Sequence, residues 1–432
     1  MNSGLLPFDE ALAALLAQAG TIDGIERVDT LNASGRVLAD DIRSTLNVPP
    51  ADNTQMDGYA LRSADVAGAS PESPARLKVA QRIPAGHVGE PLAAGTAARI
   101  FTGALIPEGA DAVVMQEATR ADGDDVLVMQ AARPGEWVRR AGEDIRADSV
   151  ILPAGTRLAP QAVGLAASVG LAHLPVRRRL RAACFFTGDE LARPGEPLKP
   201  GAIYDSNRYV LVSLLRGLGC EVSDLGNVPD SLEATRDALR AAAIDNDLIV
   251  TSGGMSVGEE DHVRAAVQAE GELTMWQIAI KPGKPLAHGR VRRDGMSAAA
   301  LAASALSGVP MAVPAALPGD AHFIGLPGNP VSAFVTFLLF VRPFLLRLQG
   351  VQKVEPQALA LVADFDWPKP DRRREFLRAR LGESGRLELF PNQGSGVLTS
   401  TVWADGLIDN PPGNPIRRGD TVRYLPFGSL LG

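Results

Sequence analysis

The residues best suited to chemistry lie in Asp247–Asp261, DLIVTSGGMSVGEED. Leu248, Ile249 and Val250 form a short apolar run, β-branched at two positions, that suits a buried parallel strand. Thr251, Ser252, Gly253 and Gly254 break it, and a helical pattern begins near His262. A strand, a small-residue turn and a helix form an anion site in α/β sheets. Glycines let backbone approach the ligand, and N–H groups and the helix dipole face its charge. This turn also leads into Glu259, Glu260 and Asp261. Acids beside an anion repel it unless a divalent cation bridges them, which points to Mg²⁺. An ordinary βα loop with a solvated acidic edge would read the same way.

A second turn of this kind, Thr187-Gly188-Asp189-Glu190, follows the strand pattern Ala182–Phe186. Helices are expected from Asp205-Ser206-Asn207 to about Leu218 and from Asp230 to Ala243, with a strand at Cys220–Val222 between them. Asp230 and Glu233 have the spacing of an N-cap and its N3 partner. Alternating strands and helices with right-handed crossovers make a doubly wound parallel sheet, and its ligands belong at the carboxyl ends of the strands. Trp276–Ile280 reads as a further strand, leading to a loop with Lys281 and Lys284, cations able to screen phosphate or another oxyanion. A plain surface loop is the alternative. The sheet resumes at His322–Leu326, and Pro327-Gly328-Asn329 enters an apolar helix ending near Leu348.

The elements around this sheet are of other kinds. Phe8–Ala19 reads as an amphipathic helix. Val48–Ala60 is a proline-bearing loop feeding a strand from Tyr59, although Asp57-Gly58 also suits a hairpin turn. Residues 77–140 carry short strand patterns between Gly, Pro and Asp turns, and 358 onward predicts a small β barrel or sandwich. Residues 296–321 read as an Ala-, Pro- and Ser-rich surface excursion, with a lid over the site as the opposing reading.

At 432 residues the chain exceeds one typical core. A net charge of −7 argues against a general nucleic-acid or membrane-surface binder. Cys184 and Cys220 read as buried structural thiols in a reducing compartment. The acidic N-terminus shows no export signal, and the apolar run Val331–Val341 is short for a bilayer span. A cytoplasmic protein is expected.

Taken together, the segments NTQMDGYALR (53–62), IFTGALIPEGADAVVMQE (100–117), GEDIR (142–146), FTGDEL (186–191), IYDSN (203–207), TSGGMSVGEEDH (251–262), IKPGKPLAHG (280–289) and GLPGNPVSA (325–333) make the chain resemble the molybdopterin molybdenumtransferase family, which includes the E domain of gephyrin. Their joint order is specific, although TGDEL and SGG loops also occur in related molybdopterin-binding domains. The resemblance implies a multidomain α/β protein: an N-terminal mixed domain (1–45 and 146–177), an inserted β domain (46–145), a doubly wound molybdopterin-binding domain (178–349) and a C-terminal small β barrel (350–432).

It also implies an elongated homodimer and a reaction, adenylylated molybdopterin plus molybdate giving molybdenum cofactor and AMP. Glu190, Asp230 and Asp261 are then expected to hold Mg²⁺ or orient water, with Glu190 and Asp261 as its ligands. Asp57, Thr102 and Asp144 would come from the partner subunit. The expected substrate-binding residues are Thr187, Gly188, Asp189, Asp205, Asn207, Ser252, Gly253, Gly254, Ser256, Gly258, Lys281, Lys284, Pro327, Gly328, Asn329 and Ser395. The pathway's adenylyltransferase is a further implied partner. Two departures stand out: the long 296–321 insertion, and Gln277 where many relatives have lysine. Two other readings remain: an adenylyltransferase-like or nucleotide pyrophosphatase enzyme, and a non-enzymatic gephyrin-like scaffold.

Overall fold

The structure, a computed structural model, describes residues 5–254, 262–293 and 319–431. The chain forms two compact units, one of residues 1–39, 155–159 and 174–432, the other of 40–154 and 160–173.

The first unit contains a six-stranded sheet. Its strands are β1 (Arg181–Thr187), β2 (Glu221–Val228), β3 (Leu248–Ser252), β4 (Gly271–Gln277), β6 (Pro285–Val291) and β7 (Ala321–Leu326), while the short β5 (Ile280–Lys281) leaves it. The spatial order is β2-β1-β3-β7-β6-β4. The first four strands are parallel, and β6 and β4 form an antiparallel edge. Side-chain alternation explains why both faces are covered. Ala182, Cys184 and Phe186 pack on one side with α1 (Ser206–Gly217) and the helix Pro330–Leu348, whose middle is a π turn. Ala183 and Phe185 pack on the other with α2 (Leu232–Asp245) and α3 (His262–Glu270).

Both cysteines are buried and unbridged, and desolvation pushes their thiols up, Cys220 to about 12. The helix Pro330–Leu348 is long and apolar enough to cross a bilayer, yet 94% of it is buried within the protein, so its apolar surface is the sheet's core.

The expected strand through Trp276–Ile280 is in fact divided. β4 stops at Gln277, and β5 pairs in parallel with β9 of the C-terminal sheet. That sheet consists of β8 (Leu359–Val362), β9 (Arg374–Leu381), β10 (Leu387–Leu389), β11 (Gly406–Asn410) and β12 (Thr421–Pro426), in the order β5-β9-β11-β12-β8. β10 pairs with β9, and Ala363, just past β8, bridges Leu387 of β10, so the sheet closes into a small barrel.

The second unit holds an all-β sheet of six strands, in the order 112–115, 58–61, 96–100, 75–83, 125–128 and 119–122. The Asp57-Gly58 hairpin alternative fails here, because Gly58 opens a strand. A Cβ on Gly58 would stand 2.0 Å from the Val114 carbonyl oxygen, so close strand approach selects the glycine.

Candidate active site

Register sets the site. Phe186 pairs with Ser252, Ser252 with Leu326, and Thr187 with Val228, so the parallel strands end level. The turns after Thr187, Ser252 and Leu326 therefore emerge along one edge. Asp230 also follows β2 there, but the N-cap of α2 is Ser231, whose hydroxyl accepts from the Ala234 N–H at 3.3 Å. The expected cap at Asp230 is thus one residue too early.

Short polar contacts lock three of these elements together. Asn207, in the first turn of α1, donates its carboxamide N–H groups to Ser252 Oγ (2.8 Å) and the Gly328 carbonyl (2.7 Å). Ser252 in turn donates to the Pro327 carbonyl at 2.9 Å. Asp205 caps α1 by accepting from the Arg208 N–H at 3.1 Å. It is 3% exposed, and burial raises its carboxyl above the ordinary range. Its Oδ1 is therefore committed to the helix cap.

Gly253 and Gly254 both have positive φ. A Cβ on Gly254 would lie 2.5 Å from Val263 Cγ2 and 3.2 Å from Thr187 Oγ1, so this turn tolerates only glycine. The Gly253 N–H is already donated to the Leu326 carbonyl at 3.2 Å. Asp189 and Glu190 are exposed. The Glu190 carboxylate folds back over Gly188, where a Cβ would come within 2.6 Å of it. Ser256, Gly258 and Asp261 lie outside the described residues, as does the 296–321 excursion apart from 319–321.

Beside these turns opens a cavity of about 540 Å³, lined by Gly253, Gly254, the Lys281–Pro285 loop, the Pro327–Asn329 turn, Ser332, Arg373 and the Gln393–Ser395 loop. Lys281 and Lys284 are thus brought to the glycine turns and to Ser395, whose carbonyl accepts from the Val331 N–H at 3.0 Å. Gln277 is exposed and does not line the cavity. Within the Lys281–Pro285 loop the Lys281–Pro282 peptide bond is cis.

The sequence reading missed Arg373 and its supports. Arg373 grips Asp371 with Nε (3.0 Å) and Nη2 (2.9 Å), and that guanidinium holds the Asp371 carboxyl far below its usual range. Lys281 Nζ reaches Asp371 (3.5 Å) and the fully buried Glu375 (3.4 Å). Glu375 also accepts from Trp367 Nε1 at 2.9 Å. Lys281 and Arg373 therefore share Asp371 beside the cavity, which Lys284 also lines. The signal in the sequence was only the charged run Asp371–Glu375, some ninety residues from the lysines.

In the other unit, Asp57 Oδ1 accepts from the Thr102 N–H (2.8 Å) and hydroxyl (2.7 Å). The Thr102 backbone and side-chain donors hold the Asp57 carboxyl below its ordinary value. Asp144 is exposed, and its N–H donates to the Val48 carbonyl at 3.0 Å. Asp52 braces this loop by pairing with Arg140 at 2.6 Å and accepting from the Ala141 N–H at 2.8 Å.

Three family models match in order: the MoeA N-terminal region (domain I and II) over 6–170, a probable molybdopterin binding domain over 183–347, and the MoeA C-terminal region (domain IV) over 360–427. The molybdopterin molybdenumtransferase of Haemophilus influenzae is 37% identical, aligned over 99% of this chain and 100% of its own length. The chain belongs to the molybdopterin molybdenumtransferase family. Molybdopterin molybdenumtransferase 2 of Mycobacterium tuberculosis is also 37% identical, over 89% of this chain and 90% of that protein. A crystal structure of the molybdopterin biosynthesis moeA protein from Pyrococcus horikoshii superposes with a TM-score of 0.80 at 29% identity, covering 98% of this chain and 100% of the other. Within the family, the cavity and the glycine turns occupy the molybdopterin binding domain and its junction with the C-terminal region.

Proposed function

We propose that this chain inserts molybdenum from molybdate into molybdopterin. The observation that carries the reading is the cavity where Lys281, Lys284 and Arg373 meet beside the glycine turns. Molybdate is a tetrahedral dianion, and a cavity with more cations than acids attracts it. Arg373, oriented by Asp371, offers a fixed guanidinium, and Lys284 an exposed charge.

In its finer form the substrate is adenylylated molybdopterin and AMP is released. Cleaving the phosphoanhydride link builds charge on the departing phosphate. Gly254 and the Gly328-Asn329 turn bring backbone close to that phosphate, and the Asn207–Ser252 contacts keep the two turns in register. Among the described residues no three His, Cys, Asp or Glu side chains converge, which excludes an all-protein cage there. Mg²⁺ usually takes one or two carboxylates together with substrate phosphate and water, and Glu190 on its exposed turn fits that donor set. Glu190 and Asp261 would hold the ion, which when bound neutralises phosphate charge. Asp57, fixed as a carboxylate by Thr102, would complete the site from a second subunit, together with Asp144.

The test is AMP release from adenylylated molybdopterin. The parent should require both molybdate and Mg²⁺, and Glu190→Gln or Asp261→Asn should lower turnover at least ~100-fold. AMP release that ignores molybdate would instead identify a nucleotide pyrophosphatase. Binding without turnover would identify a scaffold.

A further inference from the structure

Arginines gather at the amino edge of the six-stranded sheet, away from the glycine turns. The seven residues of β1 separate the two edges by roughly 20 Å of extended backbone. At the amino edge Arg36, Arg177, Arg178, Arg179, Gly219 and Gln349 line a cleft of about 10 Å³, room for one water-sized group. Arg157 joins them, since its backbone bridges Val37 of the same cleft.

Two of these arginines are neutralised. Arg178 donates to both carboxylate oxygens of Asp247 at 2.8 Å, and Arg36 pairs with Glu26 at 2.5 Å. Among the described residues no carboxylate pairs with Arg157, Arg177 or Arg179. Arg157 and Arg179 donate instead to carbonyls at the end of α1, those of Gly217 (3.5 Å) and Gly219 (3.2 Å). Arg157 Nε is buried without a partner among the described residues. Arg177 crosses Gly350, just past the helix Pro330–Leu348, and Gln349 donates to the Leu218 carbonyl at 3.0 Å.

Capping of helix ends accounts for part of this charge. The carboxyl ends of the two helices supply about half a negative charge each. Three guanidiniums, charged at neutral pH, exceed that by roughly two charges. Asp23 and Glu221 act on Arg178 from further off, and Arg216 and Arg347 in the last turns of the same helices offset them. Like charges gathered this closely repel unless an anion joins them.

We propose that this cleft is a second anion site, which takes a phosphate group with one oxygen in the cleft and the rest of its charge against Arg177 and Arg179. Room for one group leaves the other oxygens in solvent, so inorganic phosphate and a phosphate monoester share this chemistry. The inference stands apart from the molybdate reading, because no residue lines both sites.

Calorimetric titration of the full chain with sodium phosphate, and separately with methyl phosphate, tests it. A Lys284→Glu background keeps anions out of the other cavity through one exposed residue. Thermal melts with phosphate are compared with sodium chloride at matched ionic strength. The background chain should bind phosphate with a Kd of about 1 mM or lower and melt higher in its presence. Adding Arg177→Gln and Arg179→Gln together should weaken binding about tenfold or more and remove most of that rise. Without phosphate this pair should melt no lower than the background, since relief of repulsion offsets the lost helix-end contact. Arginines that only cap helix ends would instead lower Tm without phosphate and leave phosphate affinity within about twofold, which overturns the inference. A rise in Tm that sodium chloride reproduces overturns it too, as does a background chain that binds neither probe at about 10 mM. If the double variant does not fold, Arg179→Glu decides, and background-like phosphate affinity overturns the inference. Equal affinity for methyl phosphate assigns the site to phosphate esters, and binding of inorganic phosphate alone assigns it to the free ion.

Discussion

Asn207→Ala should uncouple the two cavity-lining turns that follow Ser252 and Leu326. The carboxamide makes two hydrogen bonds, to Ser252 Oγ at 2.8 Å and the Gly328 carbonyl at 2.7 Å, each worth about 1 kcal/mol net. The substitution leaves neither group without a partner, although Ser252 Oγ loses the bond it accepts. Ser252 keeps its own bond to the Pro327 carbonyl, and Gly328 is exposed to water. The larger penalty for a buried unsatisfied group is therefore avoided, and the expected loss of stability is about 2 kcal/mol. If the whole loss falls on the alignment needed in the transition state, kcat/KM drops about thirtyfold. Asn207→Asp should be worse, since a carboxylate turns acceptors toward the Gly328 carbonyl and adds charge beside the phosphate. Urea melts and steady-state AMP release measure both quantities. A folded Asn207→Ala enzyme whose kcat/KM lies within about threefold of the parent would show that the turns hold their geometry without this bridge.

Other outcomes follow from the same geometry. His288 and His322 are packed against Phe344, with Trp276 stacked on His288, and burial lowers both imidazoles to about 4 from 6.5. The unfolded chain then takes up protons first as pH falls below 6.5. Stability should decline between pH 6.5 and 4, by at most about 3 kcal/mol per histidine. Urea melts across that range should show a flatter dependence once both are replaced by Phe; an unchanged slope refutes the assignment. Mixing an Asp57→Ala chain with a Glu190→Gln chain should restore partial activity through one intact hybrid site, and no recovery despite demonstrated subunit exchange would exclude a shared site. Arg373→Ala should raise the Michaelis constant for molybdate about tenfold with a smaller change in kcat, and the opposite split would move Arg373 out of the oxyanion site.

The sequence by itself determined the local parts. The continuous apolar run Ala182–Phe186 dictated a strand covered on both faces, and the glycine at 254 follows from a turn with no room for a Cβ beside Val263 and Thr187. The order of the short motifs determined the family. Spacing along the chain could also group the lysine loop, but it could not say what faces it. That was decided by tertiary structure, through the departure of Ile280–Lys281 from its expected strand to pair with Arg374-Glu375 of the barrel. This pairing is a non-local backbone contact, and it helps carry Arg373, Asp371, Glu375 and the Gln393–Ser395 loop to Lys281. Local pattern likewise assigned the α2 cap to Asp230, where one residue of offset gave it to Ser231. Periodicity records which face of an element is apolar; which charges meet across two domains depends on sheet order and closure, which that pattern does not encode.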